Sequence, residues 1–240
     1  MSHESGTISN AAGDVVARWI FTDRHDGYGH EPYDTCNLAS HVGDAQLAVA
    51  ANRSKFAEWL GTDKITWPGL VHSTDVGVVD SDISLFPNVD VLMTTRKRHG
   101  LATMGADCVP LIAVDTNKRI ALTAHVGWRG AADDIIDSIK EALIELGGDV
   151  RHLRVLLGPS ICGNCYPCDA DRIQAVCSVL PEAKSDDGNG IDIRKGLAAA
   201  FKRLGCTVEL VGGCTAEDAR YFSHRRDGVT GRQGAGVVLA

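Results

Sequence analysis

Three adjoining stretches decide how this chain reads: Cys108-Val109-Pro110-Leu111-Ile112-Ala113-Val114, the turn Asp115-Thr116-Asn117-Lys118-Arg119, and Ile120-Ala121-Leu122-Thr123-Ala124-His125. Each apolar run predicts a buried strand. The short polar turn joins them as an antiparallel hairpin, which puts Cys108 and His125 at the same end. Val126-Gly127-Trp128-Arg129-Gly130 follows at once, and its glycines let the backbone turn tightly. A thiol, an imidazole and the Arg129 guanidinium at one sheet end make a candidate site.

Working outward, strands are expected at 15–21, 65–71, 76–80, 89–95, 101–105, 155–157, 208–211 and 237–239. A helix capped by Asp44 is expected to run to Leu60, with Val49, Phe56 and Leu60 on one face and Gly61 as its stop. A second helix should begin at Asp133, with Ile135, Ile136, Ile139, Leu143 and Leu146 at three- and four-residue steps. Further helices are expected at 169–180 and 192–204. Residues 1–13 read as a disordered tail and 14–240 as one catalytic domain of mixed α/β (α+β) type.

A chain of 240 residues with a 44% hydrophobic share affords a sizeable core. The net charge of −7 argues against nucleic-acid binding, although local arginines could still hold a small anion. No apolar run approaches the roughly 20 residues that span a bilayer, and the N-terminus lacks an apolar signal core. The expected location is cytoplasmic, away from any membrane, where the eight cysteines are free thiols or metal ligands. A homodimer is compatible with the sequence.

His72, in the polar cluster His72-Ser73-Thr74-Asp75, stands at another strand end. With Cys108 and His125 it makes a three-ligand set of the kind that leaves a catalytic zinc one open position. Two other readings stay open: Cys108 as a buried core thiol, and Cys108 with His125 as a metal-free nucleophile–base dyad. Cys162, Cys165 and Cys168 form a C-x-x-C-x-x-C run, but an iron–sulfur run needs a fourth cysteine three residues on, and none is there. Metal binding is not expected at this run; its cysteines should line a site or fill the core. Arg24, Arg129, Arg225 and Arg226, and Arg232 sit in glycine-rich loops, where guanidinium forks suit phosphate or carboxylate. Arg129, tied to His125, is the strongest by position. Asn37 is a hydrogen-bonding candidate, with turn stabilisation as its other role. The zinc-deaminase signature and the G-x-x-x-x-G-K-[ST] phosphate loop are absent, and nine scattered histidines are poorly arranged for a set of copper centres.

The motifs Thr22-Asp23-Arg24-His25, Pro32-Tyr33-Asp34-Thr35-Cys36-Asn37-Leu38, Val71-His72-Ser73-Thr74-Asp75, Ala106-Asp107-Cys108-Val109-Pro110, His125-Val126-Gly127-Trp128-Arg129-Gly130 and Phe222-Ser223-His224-Arg225-Arg226-Asp227-Gly228 together resemble the YfiH-like, or laccase-domain, family. The resemblance runs from about Val15 to the C-terminus. It implies a layered α/β/β/α fold and one zinc ion held by His72, Cys108 and His125 as the catalytic centre. It also implies phosphorolysis of adenosine, inosine and S-methyl-5'-thioadenosine, with adenosine deaminase activity as a side reaction. Purine nucleosides and inorganic phosphate would then be the partners, with Arg24, Asn37, Arg129 and Arg225 as candidate substrate contacts. Asp107 or Asp75 is a candidate to orient a ligand histidine. Copper-dependent polyphenol oxidation, a cell-wall (peptidoglycan) precursor editing hydrolase and the Cys–His hydrolase are the alternatives. Two departures stand out: Pro167 where the family commonly has glutamate, and Val126 where it has alanine.

Overall fold

The central hairpin forms as its sequence dictates: β8 (Val109–Asp115) pairs antiparallel with β9 (Ile120–Val126), with Pro110 opposite His125. A computed structural model describes residues 3–240. Around the hairpin, β4 (Val76–Val78), β6 (Val91–Thr94), β10 (Leu153–Leu157) and β11 (Thr207–Leu210) complete a mixed sheet in the order β11-β10-β8-β9-β6-β4. A second mixed sheet runs β1-β2-β12-β7-β3-β5, from β1 (His3–Ser9), β2 (Val15–Thr22), β3 (Ile65–Pro68), β5 (Leu85–Phe86), β7 (Gly100–Gly105) and β12 (Gln233–Leu239).

The two sheets pack face to face, and helices cover both outer faces. Ile112, Val114 and Ala121 of the hairpin meet Phe21, Leu101 and Val237 between the sheets. Leu111, Ala113, Leu122 and Ala124 point the other way, toward α3 (Ile135–Glu145), α4 (Ala170–Val179) and α5 (Ile193–Arg203). On the far side α1 (Gln46–Leu60) lays Phe56 and Leu60 against Ile20, Ala102 and Val238. The result is the α/β/β/α layering that the resemblance implies, in one domain. Both faces of β8 and β9 are covered, which is why their runs are apolar without alternation.

Several boundaries differ from expectation for identifiable reasons. From His3 to Ser9 the expected disordered tail is the edge strand β1, paired antiparallel with β2. Backbone pairing needs no apolar run, so a polar edge strand leaves no hydrophobic signal. Met1 and Ser2 lie outside the described residues. Asp44 does not cap α1; its carboxylate accepts from Asn37 Nδ2 (2.9 Å) and Ala45 N (2.7 Å), and the helix starts at Gln46. Gly61, at φ 78°, does stop it. The helix expected at Asp133 is α3, which starts at Ile135 and is capped by Asp134 accepting from Asp137 N; the short α2 (Trp128–Ala132) before it was not expected. The expected strands at 65–71, 76–80 and 89–95 are trimmed to 65–68, 76–78 and 91–94. No helix of the described residues is long and apolar enough to cross a membrane.

Candidate functional site

Cys108 immediately precedes β8 and His125 is the penultimate residue of β9, so the hairpin register alone brings them to one sheet end. His72 arrives from the loop between β3 and β4. The ligand atoms of all three lie within 4.8 Å of one another, and the two imidazoles meet edge to face with centroids 4.8 Å apart. Close approach depends on Gly127: a Cβ there would lie 3.0 Å from His72 Cδ2 and 3.2 Å from Cys108 Sγ. His72 (φ 62°) and Asp107 (φ 93°) are both non-glycine residues in left-handed backbone, a strain that recurs where structure serves a site.

The residue that organises this group is Asp90, which the sequence reading passed over. Its side chain is fully buried, and Oδ1 accepts from His125 Nδ1 at 2.8 Å. That bond leaves Nε2 as the His125 nitrogen that could hold a metal ion. Asp90 Oδ2 accepts from the backbone N–H of Val71 (3.0 Å) and Ser73 (2.8 Å), so the same carboxylate holds both sides of His72. A signal for it did exist. An acidic residue inside the apolar segment Val89-Asp90-Val91-Leu92 must find partners when buried. Asp75 and Asp107, the expected orienting residues, do other work. Asp75 contributes its backbone carbonyl to Asp90 N and Val91 N. Asp107 accepts from Thr215 Oγ1 and from Arg225 N, both at 2.7 Å, and so ties the 215 and 225 loops beside Cys108.

The electrostatics of the three side chains are coupled. Burial opposes ionisation of the Cys108 thiol, but the His125 charge and hydrogen bonds to His125 and His72 outweigh it and bring the thiol down to about 6. Burial likewise opposes protonation of His125, yet the Cys108 thiolate and the Asp90 bond raise it to about 9. Asp90 is disfavoured as an anion by its burial, and its bonds to His125 and to the Ser73 and Val71 amides still hold it below the usual carboxylate range. Without metal the site is therefore a thiolate–imidazolium pair backed by a carboxylate. Two neutral imidazoles and a thiolate are also a ligand set that fits zinc. A tetrahedral ion needs its sulfur and nitrogen donors about 3.5 Å apart, within reach of the spacing here.

One side of this group faces a cavity of about 200 Å³. Trp128, Ile161, Tyr166 and Ile193 supply apolar wall, and Arg129 and Arg225 supply positive charge. Each arginine is steadied by an aromatic ring: Arg129 lies 4.5 Å from the Trp128 ring centroid, and Arg225 lies 4.8 Å from that of Tyr166. Arg129 and Arg225 thus reach the cavity as expected. Arg24 does not; it pairs with Asp34 at 2.9 Å and lines a separate open hollow with Asp227. Asn37 is also outside. It is fully buried, bonds to Ala39 and Asp44, and accepts from Arg232 N, so turn stabilisation is what it does here. Tyr166, Ile193 and His224 are cavity residues that were not singled out, because they come from three segments that only the fold brings together.

Of the other arginines, Arg226 donates to the Thr215 and Tyr221 carbonyls and Arg232 to the Thr230 and Gly231 carbonyls, so both brace loops. The cysteine run behaves differently from expectation. None of Cys162, Cys165 and Cys168 lines the cavity. Cys168 Sγ bonds to the Tyr166 carbonyl, whereas Cys162 and Cys165 converge on Cys214 and Glu217. Pro167 is exposed, and Val126 is part of the helix-facing core.

Comparison with known proteins gives a consistent picture. A purine nucleoside phosphorylase of Streptomyces coelicolor is 37% identical over 231 residues, covering 93% of this chain and 96% of that protein. An adenosine deaminase, RL5, from an unknown prokaryotic organism is 28% identical over 239 residues, covering 90% and 91%. Among solved structures, YlmD from Geobacillus stearothermophilus superposes with a TM-score of 0.85 at 27% identity, covering 97% of this chain and 98% of that one. The family model described as multi-copper polyphenol oxidoreductase laccase matches residues 18–240, and the chain therefore belongs to this laccase-domain, YfiH-like family.

Proposed function

We propose that the chain is a zinc-dependent purine nucleoside phosphorylase acting on adenosine, inosine and S-methyl-5'-thioadenosine, with adenosine deamination as a side activity. The observation that carries the reading is one cavity lined by His72 and Cys108 of the His72–Cys108–His125 group and by two guanidinium groups, in a chain with relatives named purine nucleoside phosphorylase and adenosine deaminase. In phosphorolysis the C1′–N9 bond breaks, a phosphate oxygen bonds to C1′, and the purine leaves with a proton on nitrogen. Arg129 and Arg225 bind the phosphate dianion, which guanidinium forks match in charge and geometry. Trp128, Tyr166, Ile161 and Ile193 take the base and sugar out of water. His224, whose Nδ1 donates to the Gly228 carbonyl at 2.7 Å, is left with Nε2 to accept the proton that the attacking phosphate gives up and pass it to the leaving base. His72, Cys108 and His125 would hold a zinc ion, which would supply Lewis-acid chemistry at this end of the cavity.

Zinc is favoured over a copper oxidase centre by the histidine distribution. A multi-copper oxidase gathers electrons over several centres, and among the described residues histidines enter only one metal-competent group. The test is adenine release from adenosine by purified protein of known metal content, with and without phosphate. Release should require phosphate and yield ribose 1-phosphate; phosphate-independent release would replace this reading with a hydrolase. The Cys108–His125 dyad is the second reading, favoured by the thiolate–imidazolium pair of the metal-free site. It requires chelated, folded protein to keep its activity.

A further inference from the structure

Behind the cavity wall lies a second group of metal-ligating side chains, from two loops far apart in sequence. One loop follows β10 and carries Cys162-Gly163-Asn164-Cys165; the other follows β11 and carries Cys214-Thr215-Ala216-Glu217. Both pairs have the two-residue spacing with which short turns present ligands to a structural zinc. The loops run side by side, with Ser160 N donating to the Gly213 carbonyl and Thr215 N to the Ser160 carbonyl. This brings one ligand atom from each of Cys162, Cys165, Cys214 and Glu217 within 4.8 Å of the others. Glu217 Oε1 lies 3.6 Å from Cys165 Sγ and 3.9 Å from Cys162 Sγ. A tetrahedral zinc asks for about 3.5 Å between sulfur and oxygen donors. The Cys162 amide points at Cys214 Sγ, 3.3 Å away, as backbone amides do toward ligating sulfurs. Cys162, Cys165 and Cys214 are free thiols, half-buried, and the cavity uses none of them.

We propose that Cys162, Cys165, Cys214 and Glu217 form a second zinc site, structural rather than catalytic, that clamps the 158–166 and 213–217 loops behind the substrate cavity. Four protein ligands leave no open position, which is the mark of a structural site. The three soft thiolates select zinc over calcium or magnesium. The clamp has an evident load. Ile161 and Tyr166 of the first loop line the cavity, and Thr215 of the second bonds Asp107, next to Cys108. Tying the two loops fixes one wall of the cavity without contributing to it.

The test is metal counting by native mass spectrometry with elemental analysis on protein produced with zinc. Wild-type chain should carry two zinc ions, Cys108→Ser one, Cys214→Ser one, and the double variant none. In cobalt-loaded Cys108→Ser protein, three thiolates should give an intense sulfur-to-cobalt charge-transfer band, which Cys214→Ser abolishes and Glu217→Gln shifts. One zinc per wild-type chain, with none in Cys108→Ser, would overturn the proposal. So would a Cys162–Cys165 or Cys162–Cys214 disulfide found by peptide mapping of freshly purified protein. If Cys214→Ser fails to fold, the wild-type count and the Glu217→Gln spectrum still decide. These readouts do not depend on nucleoside turnover, so the second site can stand or fall apart from the phosphorylase reading.

Discussion

Asp90 carries more of the site than any ligand does. It is one carboxylate with four nearby donors: His125 Nδ1, two backbone amides flanking His72, and Ser73 Oγ at 3.4 Å. Asp90→Asn keeps the shape but removes the charge that favours a correctly oriented His125. Loss of such a partner typically costs 10- to 100-fold in metal affinity; a fall of about that size is expected in a chelator-competition titration, and an unchanged affinity would deny Asp90 this role. The ligands themselves predict a pH signature. In metal-stripped protein the Cys108 thiol ionises at about 6, well below an ordinary cysteine. The thiolate is the reactive form, so alkylation of the Cys108 peptide should rise as pH climbs through about 6 and level off above it, and zinc should block it. His125 stays protonated up to about 9, so zinc must displace its proton anywhere between those limits. Binding in that window should release about one proton per zinc, and isothermal titration in buffers of different ionisation enthalpy would count it.

At the scale of elements, the hairpin and the turn after it do the positioning. Register puts Pro110 across from His125, and Gly127 then lets the chain enter α2 with no side chain between two ligands. Gly127 has φ −88°, so alanine is conformationally acceptable there, but its Cβ would sit 3.0 Å from the His72 ring. Gly127→Ala should therefore lower metal affinity, by about tenfold or more, while the melting temperature of the metal-free protein moves little. A large loss of stability with normal metal binding would reverse that assignment. Elements are also where the sequence was most and least readable. The continuous apolar runs of β8 and β9 announced burial on both faces, and the three- and four-residue spacing of Ile135, Ile136, Ile139 and Leu143 announced α3. The strand β1 gave no such signal, since only Ile8 of its seven residues is buried and its order comes from pairing with β2.

At the scale of the whole molecule, the two sheets and their helices form a frame whose loops meet at one end. His72 comes from the loop after β3, Cys108 and His125 from the hairpin, Tyr166 from the loop after β10, and Arg225 from α6 (His224–Asp227). Residue types and motif order were enough to name His72, Cys108, His125 and Arg129, because few side chains bind metal or phosphate and these stand at the ends of apolar runs. The same reasoning offered Arg24 and Asn37 as candidate substrate contacts, and both lie outside the cavity lining, since a motif does not say which way its loop turns. It also set aside Cys162 and Cys165, counting only neighbours in the run and not Cys214 and Glu217, some fifty residues on. The sequence by itself determined a mixed α/β class and offered His72, Cys108 and His125 as candidate ligands, because burial periodicity and ligand chemistry are local properties; the layering and the grouping of the three came from the family resemblance. Only the tertiary structure decided the role of Asp90, the composition of the cavity and the second cysteine cluster. Those depend on distances between segments far apart in the chain, and packing alone sets such distances.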